Sequence, residues 1–126
     1  MQLVNKRNGK LLASRVEFAD SFWGRFRGLM FRSKNSDLAL IFPKTRTIHT
    51  FFVFFPIDLI YTDEEMRVVE LREDLQPFSW YSPKRKSKHL IELVSGKISE
   101  CDVKLGDVLS LTLSTKISRL NRPNNL

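Results

Sequence analysis

A mainly β domain, arranged as an antiparallel two-sheet sandwich or an open barrel with one short helix in its N-terminal half, is the fold this sequence predicts. Three observations carry the expectation. From Asp37 onward, short apolar or alternating runs recur with turn residues closely spaced between them. Leu109, Leu111 and Leu113 alternate with Ser110, Thr112 and Ser114, the pattern of a strand with one covered face. Only residues 20–32 space their apolar side chains as a helix does. The chain of 126 residues has the size of one domain. Residues 1–118 are expected to form that domain, and the polar end RLNRPNNL, residues 119–126, to be a flexible tail.

The opening predicts a hairpin. Leu3 and Val4 lead into Lys6-Arg7-Asn8-Gly9, and residues 11–18 continue as a second strand. Asn-Gly at the corner supplies the positive backbone angles of a tight turn. In the helix candidate, Asp20 or Ser21 is placed to cap. Phe22, Trp23, Phe26, Leu29 and Met30 form one stripe, with Arg25 and Arg32 on the opposite side. Gly24 and Gly28 each weaken a helix by about 1 kcal/mol relative to Ala, so they suit close approach of another backbone or a helix end at Gly28. Strands are expected over 38–42, 47–53 and 57–62, divided by Pro43 and Pro56. A polar turn, Thr62-Asp63-Glu64-Glu65, leads to a strand over 66–71. A looser segment over 72–87 holds Pro77, Pro83 and the basic run Lys84-Arg85-Lys86. Residues 88–94 resume as a strand, Ser95-Gly96 and Leu105-Gly106-Asp107 make turns, and 108–114 close the sheet. Short connections between consecutive strands favour antiparallel pairing.

Composition bounds the function. The apolar fraction of 42% and ten Phe are enough for a core of real size. A single cysteine, Cys101, excludes an internal disulfide framework and points to a reducing compartment. The start MQLVNKRNGK has no apolar run of signal-peptide length, and residues 51–60 are interrupted by Pro56 and Asp58 and too short to span a bilayer. The expectation is a cytoplasmic protein with no membrane partner. His49, His89 and Cys101 lack metal-ligand spacing, and Gly28, Gly96 and Gly106 make no phosphate loop, so no metal and no cofactor are expected. Acidic neighbours, Glu100 and Asp102, blunt Cys101 as a nucleophile. The net charge of +7 is uneven: +6 over residues 1–36, −4 over 37–83 and +5 over 84–126. Converging basic ends would attract nucleic acid or another polyanion.

Six short motifs occur in order: Arg-Gly-Leu-Met from Arg27, an apolar strand from Leu38, and Ile-His-Thr-Phe-Phe from Ile48. Pro-Ile-Asp from Pro56, Leu-Ile-Glu-Leu running to Gly96, and Gly-Asp-Val from Gly106 follow. From Asp20 to near Leu111 this series resembles the DUF192 family of bacterial and archaeal proteins. The resemblance implies a compact, jelly-roll-like β fold and no established activity. Many members of the family have Trp-Met-Arg/Lys-Asn-Thr where this chain has Ile48, His49 and Thr50, so His-Thr resembles the variant of a subset. Many members also carry export signals, and the present N-terminus does not resemble one.

Polar side chains in apolar strands are the candidate site. His49 and Asp58 flank Pro56; a bend there would bring an imidazole beside a carboxylate, which fixes its tautomer and raises its pKa. The plainer alternative is that His49 and Thr50 satisfy backbone groups at a strand corner while Asp58 caps a turn. Glu92 is either solvent-facing or buried against a cation, with Arg25 or Arg27 the natural partner. The main expectation is a non-catalytic module that binds a small molecule or a protein in a cleft of Arg25, His49, Thr50, Asp58 and Glu92. A first alternative is a hydrolase using His49 as general base oriented by Asp58. A second is polyanion or nucleic-acid binding through the basic ends and a loop holding Trp80, Lys84, Arg85, Lys86 and Lys88, with Tyr81 and His89 beside them.

Overall fold

The computed structural model describes residues 1–18, 37–43, 47–49 and 54–113. Their strands are β1 (Gln2–Asn5), β2 (Leu11–Ala13), β3 (Arg15–Phe18), β4 (Leu38–Pro43), β5 (Ile48–His49), β6 (Ile57–Thr62), β7 (Val68–Leu75), β8 (Trp80–Tyr81), β9 (His89–Val94) and β10 (Leu109–Thr112), with one turn of helix, α1 (Lys97–Glu100), between the last two. They form a five-stranded sheet in the order β3-β4-β9-β6-β7, a three-stranded sheet β10-β1-β2, and a two-stranded sheet β5-β8. The architecture is a mainly β sandwich with open sheets. Among the described residues, no helix is long and apolar enough to cross a membrane.

The five-stranded sheet is covered on both faces, which explains why its inner strands read as near-continuous apolar runs rather than alternating ones. β6, IDLIYT, is buried at every position. On one face, Ala39, Ile41, Ile60, Ile91 and Leu93 pack against Leu3, Leu12 and Leu109 of the three-stranded sheet and against Ile98, Cys101 and Val103 around α1. On the other face, Leu40, Leu59, Tyr61 and Leu90 pack with Ile48 from β5, Tyr81 from β8 and Phe55. β10 keeps the expected one-faced pattern only at its start: Leu109 is buried and Leu111 packs partly against the same core, whereas Leu113, expected on the covered face, lies past the end of the strand and is exposed.

The expected hairpin forms, and Gly9 sits at φ +73° as its Asn-Gly corner requires. Its second arm, expected as one strand over 11–18, is two. β2 pairs with β1, then the chain bends at Ser14 and β3 joins the other sheet, parallel to β4. A parallel neighbour needs a long crossover, and the residues between Phe18 and Leu38 are sufficient in number for one. The remaining pairings are antiparallel. β7 starts and ends later than the expected 66–71, and β8 lies inside the segment expected to be loose. Gly96, at φ +101°, leads into α1, which sequence spacing did not reveal. The helix expected over 20–32 and the tail over 119–126 lie outside the described residues.

Candidate functional site

Four acidic side chains are buried among the described residues: Asp58, Glu70, Glu92 and Asp107. Burying a carboxylate is costly unless donors meet it. Asp58 and Glu70 accept from backbone amides distant in the chain, and Asp107 accepts from the distant Arg7 and Asn5 side chains as well as from the nearby Lys104 amide.

Asp58 projects from β6 into the core that contains α1. Its Oδ2 accepts from the amides of Gly96 at 3.1 Å and Ile98 at 2.9 Å, and its Oδ1 accepts from the amide of Asp74 at 2.9 Å. Asp74 has a left-handed backbone, φ +55°, and its own carboxylate accepts from Ser95 Oγ at 2.7 Å. Asp58 therefore fastens the end of β7 and the start of α1 to the central sheet. Glu92 is buried on the opposite face. In the register of β6 and β9, Asp58 lies opposite Leu93 and Glu92 lies opposite Leu59, while on its other side Glu92 faces Leu40. Leu40 and Leu59 belong to the second core, so the sheet itself separates the two carboxylates. The expected cleft of Arg25, His49, Thr50, Asp58 and Glu92 is thus not gathered as one site from its two described acids. β5, with His49, pairs with β8 rather than with β6 across Pro56. Arg25, Arg27 and Thr50 lie outside the described residues.

Glu70 and Asp107 were not singled out from the sequence. Glu70, on β7, faces β8. Its carboxylate accepts from the Tyr81 hydroxyl, from the Lys84 amide at 2.9 Å and from the Arg85 amide at 2.8 Å. Burial alone would raise this carboxyl. The Tyr81 hydroxyl, the two amides and the Arg85 charge outweigh burial and hold it below the usual glutamate range. The Tyr81 phenol is pushed up to about 12 by its own burial and by the Glu70 carboxylate beside it. Its ring lies 6.1 Å from that of Tyr61, and the Arg72 guanidinium sits 5.9 Å from its centroid. By strand alternation Trp80 then faces outward, and it is 69% exposed. Phe78 and Phe54, 64% and 69% exposed, meet edge to face with ring centroids 6.3 Å apart. The turn that follows β8 is bound down through its amides while the Lys84, Arg85 and Lys86 side chains remain exposed. Lys88 differs: its ammonium lies 3.4 Å from Glu64.

Glu70→Gln should leave both cores intact but release the 83–87 turn. Backbone amides of Lys84 and Arg85 are expected to exchange with solvent about 10- to 100-fold faster, while those of β6 and β9 keep their protection. Hydrogen exchange followed residue by residue checks this; unchanged protection at 84 and 85 would show that Glu70 does not hold the turn.

Asp107, of the Gly-Asp-Val motif, accepts from Arg7 Nε at 2.7 Å, Asn5 Nδ2 at 3.0 Å and the Lys104 amide at 2.8 Å. Arg7 holds the carboxyl down at about 2, against the opposing effect of burial. The same guanidinium reaches the Asp102 carbonyl and carboxylate, tying the β1–β2 turn to the 102–107 segment. The signal for Asp107 was in the motif itself. For Glu70 the signal was one acid in Val68-Val69-Glu70-Leu71, which a solvent-facing strand position explains equally well. Cys101 is buried, its thiol is raised chiefly by that burial, and its Sγ lies 3.2 Å from the Leu11 carbonyl. Among the described residues, no three His, Cys, Asp or Glu side chains gather to hold a metal ion.

The fold and these contacts define a class. It is a small β sandwich whose buried acids organise its own backbone and whose aromatic and cationic side chains stand outward on one well-anchored loop. The chain belongs to the DUF192 family, described as Uncharacterized ACR, whose model matches residues 3–111. It is 36% identical to a UPF0127 protein of Thermococcus sibiricus, covering 96% of this chain and 81% of the relative. With a UPF0127 protein of Pyrococcus furiosus the identity is 37%, covering 85% and 95%. Its fold is similar to that of a Sinorhizobium meliloti protein titled a putative transcription regulator: TM-score 0.70, 22% identity, 86% of this chain and 89% of that one. It is also similar to that of a Novosphingobium aromaticivorans protein of unknown function, with TM-score 0.66 and 21% identity over 76% and 74%.

Proposed function

We propose that this domain is a non-catalytic binding module for a polyanion, single-stranded nucleic acid, recognised by the loop around β8. The observation that carries the reading is the combination at that loop. Phe54, Phe78 and Trp80 expose most of their rings, and the next turn presents Lys84, Arg85 and Lys86 on a backbone pinned by Glu70. An exposed aromatic ring offers a stacking platform to any base, and fixed cations beside it meet phosphates. The basic balance of the chain favours the encounter. Lys88 contributes less, because Glu64 partly neutralises it.

The test is retention of a fluorescent oligothymidylate against salt. Trp80→Ala should cost about 1–3 kcal/mol of binding free energy through lost stacking. Lys84→Ala should reduce the slope of log K against log salt by about 0.7, one phosphate contact on a single strand. Absence of retention at low ionic strength, or retention indifferent to Trp80→Ala, would end this reading.

A further inference from the structure

The three- and five-stranded sheets each end in two edge strands, whose outer amides and carbonyls are a template for a further strand. Most of these edges are guarded. β2 has three residues and a register shift against β1, and the chain bends away after it. β3 carries Arg15 and Glu17. β7 carries exposed Arg72, Glu73 and Asp74, the last with φ +55°. β10 has none of these devices: Leu-Ser-Leu-Thr holds no charge and no proline, and it pairs with β1 without a shift of register.

The bonds at the start of β10 fix which of its groups face outward. The Val108 carbonyl accepts from the Lys6 amide at 3.0 Å, on the β1 side, whereas the Leu109 amide donates to the Met66 carbonyl at 3.0 Å, on the side away from β1. This direction alternates along a strand. Ser110 and Thr112 therefore bond toward β1, opposite Val4 and Gln2, while the N–H and C=O of Leu111 point outward. The 66–68 segment covers the edge only as far as Leu109, and among the described residues no strand pairs with Leu111 from that side. Apolar side chains gather at the same end. Leu113, directly after β10, is 60% exposed, and Met1, next to it in the β1 register, is 50% exposed.

We infer that this edge docks a second copy of the chain, with the two β10 strands antiparallel about a two-fold axis at Thr112. The segment is complementary to itself in that register. With β10 carried on by one residue, Leu111 exchanges both N–H···O bonds with the partner's Leu113, and Leu113 with the partner's Leu111. The exposed Leu113 is then shielded by an aliphatic neighbour. On the outer face Thr112 lies directly opposite the partner's Thr112, a favourable hydroxyl pair. A net charge of +7 opposes self-association, but no charged side chain occurs from 109 to 113, so none is set against its like. Salt acts oppositely at the two surfaces: screening favours contact between two copies and weakens the hold on a nucleic acid. The edge shares no residue with the oligonucleotide loop, so each stands or falls separately.

Sedimentation equilibrium of the full chain, from micromolar to millimolar concentration, is expected to show a reversible monomer–dimer equilibrium that tightens as salt is raised. Hydrogen exchange supplies the residue-level signature. The amides of Leu111 and Leu113 should gain about tenfold protection between the dilute and concentrated limits, while those of Ser110 and Thr112, already bonded to β1, stay as they are. Thr112→Lys sets two ammonium groups against each other and should weaken the dimer about tenfold or more. Thr112→Glu should do the same, and the two variants mixed in equal amounts should associate again. Trp80→Ala should leave self-association unchanged. A monomer at millimolar concentration in high salt, concentration-dependent protection centred on β3 or β7, or a Thr112→Lys protein that dimerises as wild type would each overturn the inference. The exchange of Leu111 and Leu113 in the wild-type protein decides the question even if a variant fails to fold.

Discussion

Asp107→Asn is expected to lower the unfolding free energy by about 2–3 kcal/mol at pH 7, seen as an earlier urea midpoint at unchanged slope. Donors from Arg7, Asn5 and Lys104 converge on the carboxylate. An asparagine offers one acceptor oxygen and turns an NH₂ group toward another donor. The cost stays at the lower end for a buried pair because Arg7, 44% exposed, keeps access to water when its partner is neutralised. The pH dependence gives the sharper test. The Asp107 carboxyl titrates at about 2 in the folded protein, below its ordinary 3.8. Its stabilisation is therefore complete above pH 4 and is lost as pH falls through 2, a contribution of about 2 kcal/mol. The gap between wild type and Asp107→Asn should narrow over that window. A gap of the same size at pH 2 and pH 7 would show that the charged network is not its source.

Asp58→Ala should be the other severe change, at about 3 kcal/mol or a fall of roughly 10 °C in Tm. It deprives the amides of Gly96, Ile98 and Asp74 of their acceptor. Ile98 is buried, so its amide cannot turn to water, whereas Gly96 and Asp74 lie nearer the surface. Asp58→Asn, retaining one acceptor oxygen, should recover part of the loss. Hydrogen exchange should localise the damage to residues 96–101 and to the end of β7. An imidazole-orienting role for Asp58 predicts instead a change in the titration of His49 with stability preserved, and NMR titration of the two histidines separates the outcomes.

Much of the strand layout was legible because it is written in local apolar content. β6 was readable to the residue: Pro56 closes one side, the Asp63-Glu64-Glu65 turn closes the other, and six residues between them have nowhere to go but a two-sided core. β4 and β9 were readable for the same reason. α1 was not, since four residues carry no periodicity. Nor was the change of sheet at Ser14, because LLASRVEF looks the same whether or not it bends. The basic loop was visible as composition, but its anchoring by Glu70 was not, for the acid lies 14 residues from Lys84 in the chain.

What the sequence alone determined is which segments must be strands, where the chain turns, and that polar groups sit among apolar ones at 58 and 92. Tertiary structure alone decided what those groups do, because side-chain direction in a sheet depends on register. Asp58 pairs with Leu93 and Leu59 with Glu92. A slip of one residue would have placed the two carboxylates across from each other on one face. In the register the strands adopt, one acid fastens α1 and the other enters the opposite core.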